Sequence, residues 1–404
     1  NTANNNAVEG YPGSSCGIRL DASHNIVREN KVSGNIIGIG VGSGPDGYIL
    51  INNTISCNHA TDNIYGIVFI NSSYSVVENN IASNNSRFGI FLSSSSNSTI
   101  TNNTVEFNND YGINVLNSSN NTVTANTASS NNGSGIRICE SERDIISNNL
   151  ALNNSWGISL QYCNSSIIVS NNASFNRGDI RGDGINLGFC NNNTVSNNEA
   201  SGNIDAGIQI MNSSNNIITD NSANSNNYCG INVWNSSNNT VTANIANSND
   251  YYGICLTSSS NNIIYVNNFI NNTDNVYSYN STNIWNSSHQ ITYSYNGSTY
   301  TNYMGNYWSD YNGSDADEDG IGDTPYSIDS DQDFHPLMVP FENYFMPIEN
   351  IFDTGSPANP YPSISGTHNG TITPNKTIIA TKLYTYPCAG TGGHTEYARI
   401  WNKT

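Results

Sequence analysis

GINVLNSSNNTVTANTASSN, residues 112–131, sets two apolar side chains at alternate positions, Ile113 and Val115, then a polar run, then single apolar residues at Val123 and Ala128. The stretch returns almost letter for letter at residues 230–249 as GINVWNSSNNTVTANIANSN, with Ile231, Val233, Val241 and Ala246 at the same offsets. Apolar runs this short, split by polar corners, suit strands of a few residues and cannot fill the face of a helix.

Outward from this stretch, the asparagines at 126 and 131 belong to a series of pairs five residues apart. The pairs are Asn30 and Asn35, Asn53 and Asn58, Asn80 and Asn85, Asn103 and Asn108, Asn126 and Asn131, Asn149 and Asn154, Asn171 and Asn176, Asn198 and Asn203, Asn221 and Asn226, Asn244 and Asn249, and Asn267 and Asn272. They recur every 22, 23 or 27 residues, and a fixed period of this size marks a solenoid. A glycine opens each unit, at Gly66, Gly89, Gly112, Gly135, Gly157, Gly184, Gly207, Gly230 and Gly253. The expected fold is all-β: about eleven coils of three short strands, each stacked in parallel about 4.8 Å above the last, in a rod of roughly 50 Å.

In such a rod the asparagines have a mechanical role. An Asn side chain carries donor and acceptor, so a column of them satisfies the backbone groups stranded at a corner and bonds to its own neighbours above and below. Asn also tolerates the left-handed backbone of a sharp corner. The competing reading, a ligand surface, fits less well with two columns present in every coil.

Hydrophobic residues make up 36% of the 404-residue chain and charged ones 11%, which suits a narrow solenoid core better than a globule. The net charge of −19 argues against nucleic acid or an anionic membrane as partner and favours cations. There is no apolar run long enough for a membrane helix. Sequons at Asn71, Asn117, Asn120, Asn164, Asn212, Asn235, Asn238, Asn296, Asn312, Asn369 and Asn375 fit an extracellular surface. Cys163 and Cys190 both fall six residues after their coil glycine, so they stack either as a disulfide or as two small buried thiols.

Three segments are expected: a solenoid over 1–272, an aromatic cap over 273–345, and a small β module over 346–404 that continues in a longer parent protein. The cap is rich in Tyr and Trp, suited to covering the open strand edges of the last coil or to lining a sugar platform. It also holds the sharpest local motif. Asp315, Asp317 and Asp319, followed by Gly320, have the alternation of a calcium loop, with Ile321 as a carbonyl ligand and Asp323 direct or through water. The position where an EF-hand has its closing Glu is Tyr326, leaving Asp329, Asp331 or Asp333 to complete the set. Nine acids lie between Asp310 and Asp333 without a Lys or Arg among them, and a cation would relieve their repulsion.

A second cluster lies on the rod. Arg137, Glu140, Glu142, Arg143 and Asp144, with Asp179, Arg181 and Asp183 from a longer coil, are candidates for a polysaccharide groove in which Trp156 or Tyr162 stacks on a sugar. Opposite charges so close also simply neutralise one another. Arg181-Gly182-Asp183 matches an integrin-type tripeptide, a weak signal. Six scattered histidines and four methionines give copper no local support, and no catalytic set is apparent.

The repeat, followed by Gly305-Asn-Tyr-Trp-Ser-Asp310-Tyr, Asp-Gly320-Ile-Gly-Asp-Thr-Pro325-Tyr and Phe334-His-Pro-Leu-Met338, resembles the NosD-type right-handed parallel β-helix proteins of the carbohydrate-binding and sugar-hydrolase group, in particular the cell-surface proteins of methanogenic archaea. The resemblance implies the fold and a surface location, with glycans, envelope proteins or further copies of the chain as partners. The family's copper role finds no ligand set here. The expectation is a non-catalytic structural or adhesive rod with a calcium-stabilised cap; the alternatives are a polysaccharide-binding or polysaccharide-processing β-helix and a metal-handling accessory protein.

Overall fold

The computed structural model describes residues 2–4, 15–42, 47–178, 181–329 and 331–345. The chain divides into units Asn1–Met346 and Pro347–Thr404. The β module expected over 346–404, with its sequons and Cys388, lies outside the described residues, as does Asp179.

The described residues between 15 and 279 wind into a parallel β-solenoid. One 12-stranded sheet runs from Cys16–Leu20 through Ile113–Leu116 to Asp274–Tyr279, and one 11-stranded sheet from Ile26–Arg28 through Thr122–Thr124 to Ile263–Tyr265. The third side is sparser. Short strands such as Thr104–Glu106, Thr127–Ser129 and Ile245–Asn247 are joined across coils by single bridges at Ile81, Leu150, Asn172, Glu199 and Ser222.

The core is a set of apolar columns. Ile113, Val115, Val123 and Ala128 are fully buried, and so are their counterparts Ile136, Ile138, Ile146 and Ala151 in the next coil. Each Ile or Val removed from water contributes about 1.5–3 kcal/mol, and every coil repeats the gain.

Between these columns run the polar ones. The Asn126 carbonyl oxygen accepts both the backbone N–H and the Nδ2 of Asn103, each at 3.0 Å, while Asn126 Nδ2 donates to Ile100 O at 2.9 Å. The same contacts build a first ladder through Asn30, Asn58, Asn80, Asn103, Asn126, Asn149, Asn171, Asn198, Asn221, Asn244 and Asn267. A second ladder passes through Asn35, Asn63, Asn85, Asn108, Asn131, Asn154, Asn176, Asn203, Asn226, Asn249 and Asn272, each side-chain oxygen accepting the backbone N–H of the Asn before it. Asn85, Asn108, Asn154, Asn176, Asn203 and Asn226 are buried inside this column and offer no surface to a ligand. Asn272 ends it half-buried, its Nδ2 donating to Asn275 Oδ1 at 3.1 Å and to Ala246 O at 2.9 Å.

Three features depart from the sequence expectations. The left-handed residue at each corner is the one before the ladder Asn: Ala125 has φ 55° and Ser130 φ 57°, so the Asn itself supplies hydrogen bonds and its neighbour takes the strained backbone. In the second coil the pair is Asn58 with Asn63 rather than Asn53 with Asn58, since the partners stacked on Asn30 and Asn35 lie 28 residues on; Asn53 instead accepts Asn25 N–H at 3.0 Å in a separate column. That column and one more complete a set of four. One passes through Ser98, Asn121, Asp144, Ser166 and Asn193, the other through Ser118, Ser141, Cys163, Cys190 and Ser213.

The solenoid ends under residues 280–345. Asn306 adds a last rung to the first ladder by accepting Asn267 N–H at 3.2 Å. Trp308 stacks between Phe269 and Tyr326, ring centroids 4.7 and 4.6 Å away. The hairpin Tyr326–Ile328/Asp331–Asp333 then closes the ladders with carboxylates: Asp331 Oδ2 accepts Asn283 N–H and Asp333 Oδ2 accepts Asn306 N–H, both at 2.8 Å.

Candidate functional site

In the 12-stranded sheet the residues between the two core positions of each strand point to the outside, since side chains alternate along a strand. In register, these run Val68, Phe91, Asn114, Arg137, Ser159, Asn186, Gln209, Asn232, Cys255 and Tyr277, polar from Asn114 to Asn232. Arg137 donates to Gln161 Oε1 at 2.8 Å and lies 5.2 Å from the centre of the Tyr111 ring; Asn232 Nδ2 donates to Gln209 Oε1 at 2.8 Å. Although they face outward, Asn114, Ser159, Asn186 and Gln209 are buried beneath their neighbours, so the bottom of this shallow trough is closed and Arg137 and Asn232 are its half-exposed polar members.

One wall of the trough is built by the residue before each coil glycine. Tyr65, Phe88 and Tyr111 stand in a row, with Phe88 stacked on Tyr111 at 5.4 Å and the Arg87 guanidinium over Tyr65 and Phe88. Farther along, Tyr252 stacks on Tyr277 at 5.1 Å. Sequence reasoning passed over this column and its wall, although the variable residue of each Gly-Ile-x-Leu/Val unit was the available signal.

The charged cluster expected on the rod does not come together. Arg137, Trp156, Arg181 and Asp183 belong to the trough or its wall. Glu140 and Arg143 instead occupy left-handed corner positions, φ 53° and 56°, and Arg143 pairs with exposed Glu142 at 2.8 Å. Tyr162 is another corner residue, stacked on Phe189 at 5.0 Å.

Asp144 is a correction: it is fully buried as a rung of the third column, where Oδ1 accepts Asn121 N–H at 2.7 Å and Oδ2 has no partner. Burial raises its pKa to about 7, against the hydrogen bonds from Asn121. Asp183 is likewise buried in the wall, bonded by Ala206 N–H at 3.2 Å and Asn186 Nδ2 at 3.3 Å. Burial, and then the neighbouring Asp205, raise it to about 7. Neither carboxyl is presented to a ligand.

In the cap, one carboxylate oxygen from each of Asp315, Asp317 and Asp319 lies within 4.8 Å of the others. Asp315 accepts Asp319 N–H at 3.1 Å and Gly320 N–H at 2.9 Å, which wraps the loop around the cluster; Gly320 has φ 91°. Asp323 accepts Ala316 N–H at 2.7 Å. Ile321 is buried, bridges Leu337 and donates its N–H to Asp319 Oδ1 at 2.7 Å, so its amide is what ties it to the cluster. Asp329, Asp331 and Asp333 are not spare ligands: they accept Ser278 N–H, Asn283 N–H and Asn306 N–H.

A copper centre, raised by the resemblance, needs soft or imidazole donors. Among the described residues the one group of three candidate ligands is this all-oxygen one, which does not fit copper. The described cysteines are free thiols, Cys163 and Cys190 among them; Cys190 Sγ lies 3.4 Å from Cys163 N as a rung of its column.

No curated protein matches the chain in sequence. Among solved structures it is similar to the A-module of the Azotobacter vinelandii mannuronan C-5 epimerase AlgE6, at 18% identity and a TM-score of 0.44 over 67% of this chain and 80% of that one. It is similar also to a DFA-IIIase of Arthrobacter chlorophenolicus A6, at 9% identity and a TM-score of 0.45 over 59% and 69%. A third likeness is to the Dettilon tailspike protein, at 16% identity and a TM-score of 0.41 over 55% and 54%. Likenesses this distant say nothing about activity. A family model described as periplasmic copper-binding protein (NosD) matches residues 50–181 and 164–313, more than half of the chain, and the chain belongs to that family.

Proposed function

We propose that this chain is a non-catalytic rod of a cell surface, of the archaeal envelope kind, which holds an extended polysaccharide along the trough of its 12-stranded sheet and whose C-terminal cap is stabilised by calcium. The reading is carried by the outward column, apolar at Val68 and Phe91 where Tyr65 and Phe88 stand, and polar from Asn114 through Arg137, beside the Tyr111 ring, to Asn232. The half-exposed Asn232 amide and Arg137 guanidinium can exchange hydrogen bonds with sugar hydroxyls, and aromatic faces pack on the apolar face of a pyranose. The column repeats about every 4.8 Å along the rod, an array suited to a repeating polymer.

Asp183 is engaged within the wall by Ala206 N–H and Asn186 Nδ2, so it serves the structure of the trough rather than turnover. A surface location is supported by the sequon asparagines Asn117, Asn120, Asn235 and Asn238, all at exposed corners.

Binding of soluble polysaccharides, neutral and uronate-containing, is the test. Arg137→Ala and Asn232→Ala, at the two half-exposed positions of the column, should each weaken retention about tenfold, while Glu142→Ala, at a corner outside the trough, should leave it unchanged. Equal binding by all three variants, or no binding by the parent, would overturn the proposal. Depolymerisation or epimerisation of the bound polymer would replace adhesion by an enzymatic role.

A further inference from the structure

The acidic loop sits where three segments of the cap meet. The hairpin Ile291–Tyr295/Ser298–Asn302 reaches it through Asn302 Nδ2, which donates to Asp319 Oδ2 at 3.0 Å, and through the Tyr300 hydroxyl, which donates to Glu318 O at 3.1 Å. The closing segment reaches it through Met338 N–H, bonded to Gly320 O at 3.1 Å, and through the Tyr344 hydroxyl, which donates to the same carbonyl.

A second observation comes from outside the loop. Tyr293 is 3% exposed, and its hydroxyl has no hydrogen-bond partner. That hydroxyl faces the carboxylates of Asp319 and Asp315 without reaching hydrogen-bonding geometry with either. A buried hydroxyl without a partner costs about 1–3 kcal/mol. Its position beside three convergent carboxylates is explained if a hydrated cation lies between them, since calcium takes carboxylates together with water and a bound water would accept the phenol hydrogen. Among the described residues the ion pairs are Arg19–Asp21 and Arg143–Glu142, neither of them at the cluster.

We propose that Asp315, Asp317 and Asp319 bind one calcium ion, with the Tyr293 hydroxyl bonded to its water, and that this ion latches the hairpin 291–302 and the closing segment 336–344 together over the end of the solenoid. The latch rests on the calcium reading of the cap and goes beyond it in stating what the ion holds. The coils themselves, carried by their own ladders, do not depend on it.

The experiment uses the full chain, stripped with chelator and titrated with calcium alone by calorimetry, with hydrogen exchange followed in both states. Asp317 is exposed, so Asp317→Asn leaves packing intact. That variant and Tyr293→Phe should each bind calcium about tenfold more weakly. Calcium should slow exchange in residues 291–302 and 336–344 and leave the strands at 185–234 unchanged. Binding that protects only 315–323, or that protects coils and cap alike, overturns the latch while leaving calcium in the cap. No binding overturns both.

Discussion

Asp333 Oδ2 stands 3.0 Å from the indole nitrogen of Trp308 and accepts its hydrogen. The same carboxylate accepts Asn306 N–H at 2.8 Å and, through Oδ1, His335 N–H at 3.0 Å. A solenoid ladder leaves donors at its last rung, and here one buried carboxylate collects them beneath the ring that covers Phe269. Capping is therefore a hydrogen-bonding problem as much as an apolar one.

Asp333→Ala should accordingly destabilise the cap by about 3 kcal/mol or more, since three buried donors lose their acceptor at about 1–3 kcal/mol each. Asp333→Asn, which keeps one acceptor oxygen, should lose less. Tryptophan fluorescence during urea unfolding reads both through Trp285 and Trp308, which are buried in the cap. Equal stability of the Ala variant and the parent would show that the ladder end needs no terminator.

Three buried carboxyls set a pH dependence. Asp144 and Asp183 are raised to about 7 and Asp333 to about 6, in each case chiefly by burial, against about 3.9 in an unfolded chain. Between those values the folded state holds more protons than the unfolded one. Their contribution is therefore fully present below about pH 4 and is lost as pH rises to about 7. The melting temperature measured in chelator should fall across this window. Asp144→Asn, which places a normal ladder residue in its column and removes the unpartnered Oδ2, should flatten the fall and gain about 1 kcal/mol or more at pH 8.

The period of the coil was readable because Asn and Gly recur together, and the structure gives their common cause. A Cβ on Gly112 would lie 2.7 Å from Asn131 Nδ2 in the same coil, so the glycine makes room for the ladder amide. The other two polar columns were hidden because Ser, Asn, Asp and Cys alternate in them, all able to present one acceptor to the coil before. Asp144 and Asp183 read as surface charges because unpaired buried carboxyls are rare. Asp329, Asp331 and Asp333 read as cation ligands because alternating acids look the same whether they meet an ion or a row of backbone N–H groups. The trough was missed because its floor is the variable letter of the repeat, which a search for constant letters discards.

The separation of roles at the corner leads to a prediction with opposite signs at neighbouring residues. Ala125 carries φ 55°, a conformation that costs an L-residue roughly 1–2 kcal/mol and glycine almost nothing. Asn126 carries the hydrogen bonds: its Oδ1 serves two donors of Asn103, and its Nδ2 serves Ile100 O and Asn149 Oδ1. Ala125→Gly should be neutral or stabilising by up to about 1 kcal/mol, the relief of backbone strain outweighing the extra freedom of the unfolded chain. Asn126→Gly should destabilise by about 3 kcal/mol, because it orphans buried groups in the coils on either side. Urea unfolding of the two variants, followed by far-UV circular dichroism, decides the matter: losses of similar size would mean that the left-handed residue, and not the amide, pins the corner.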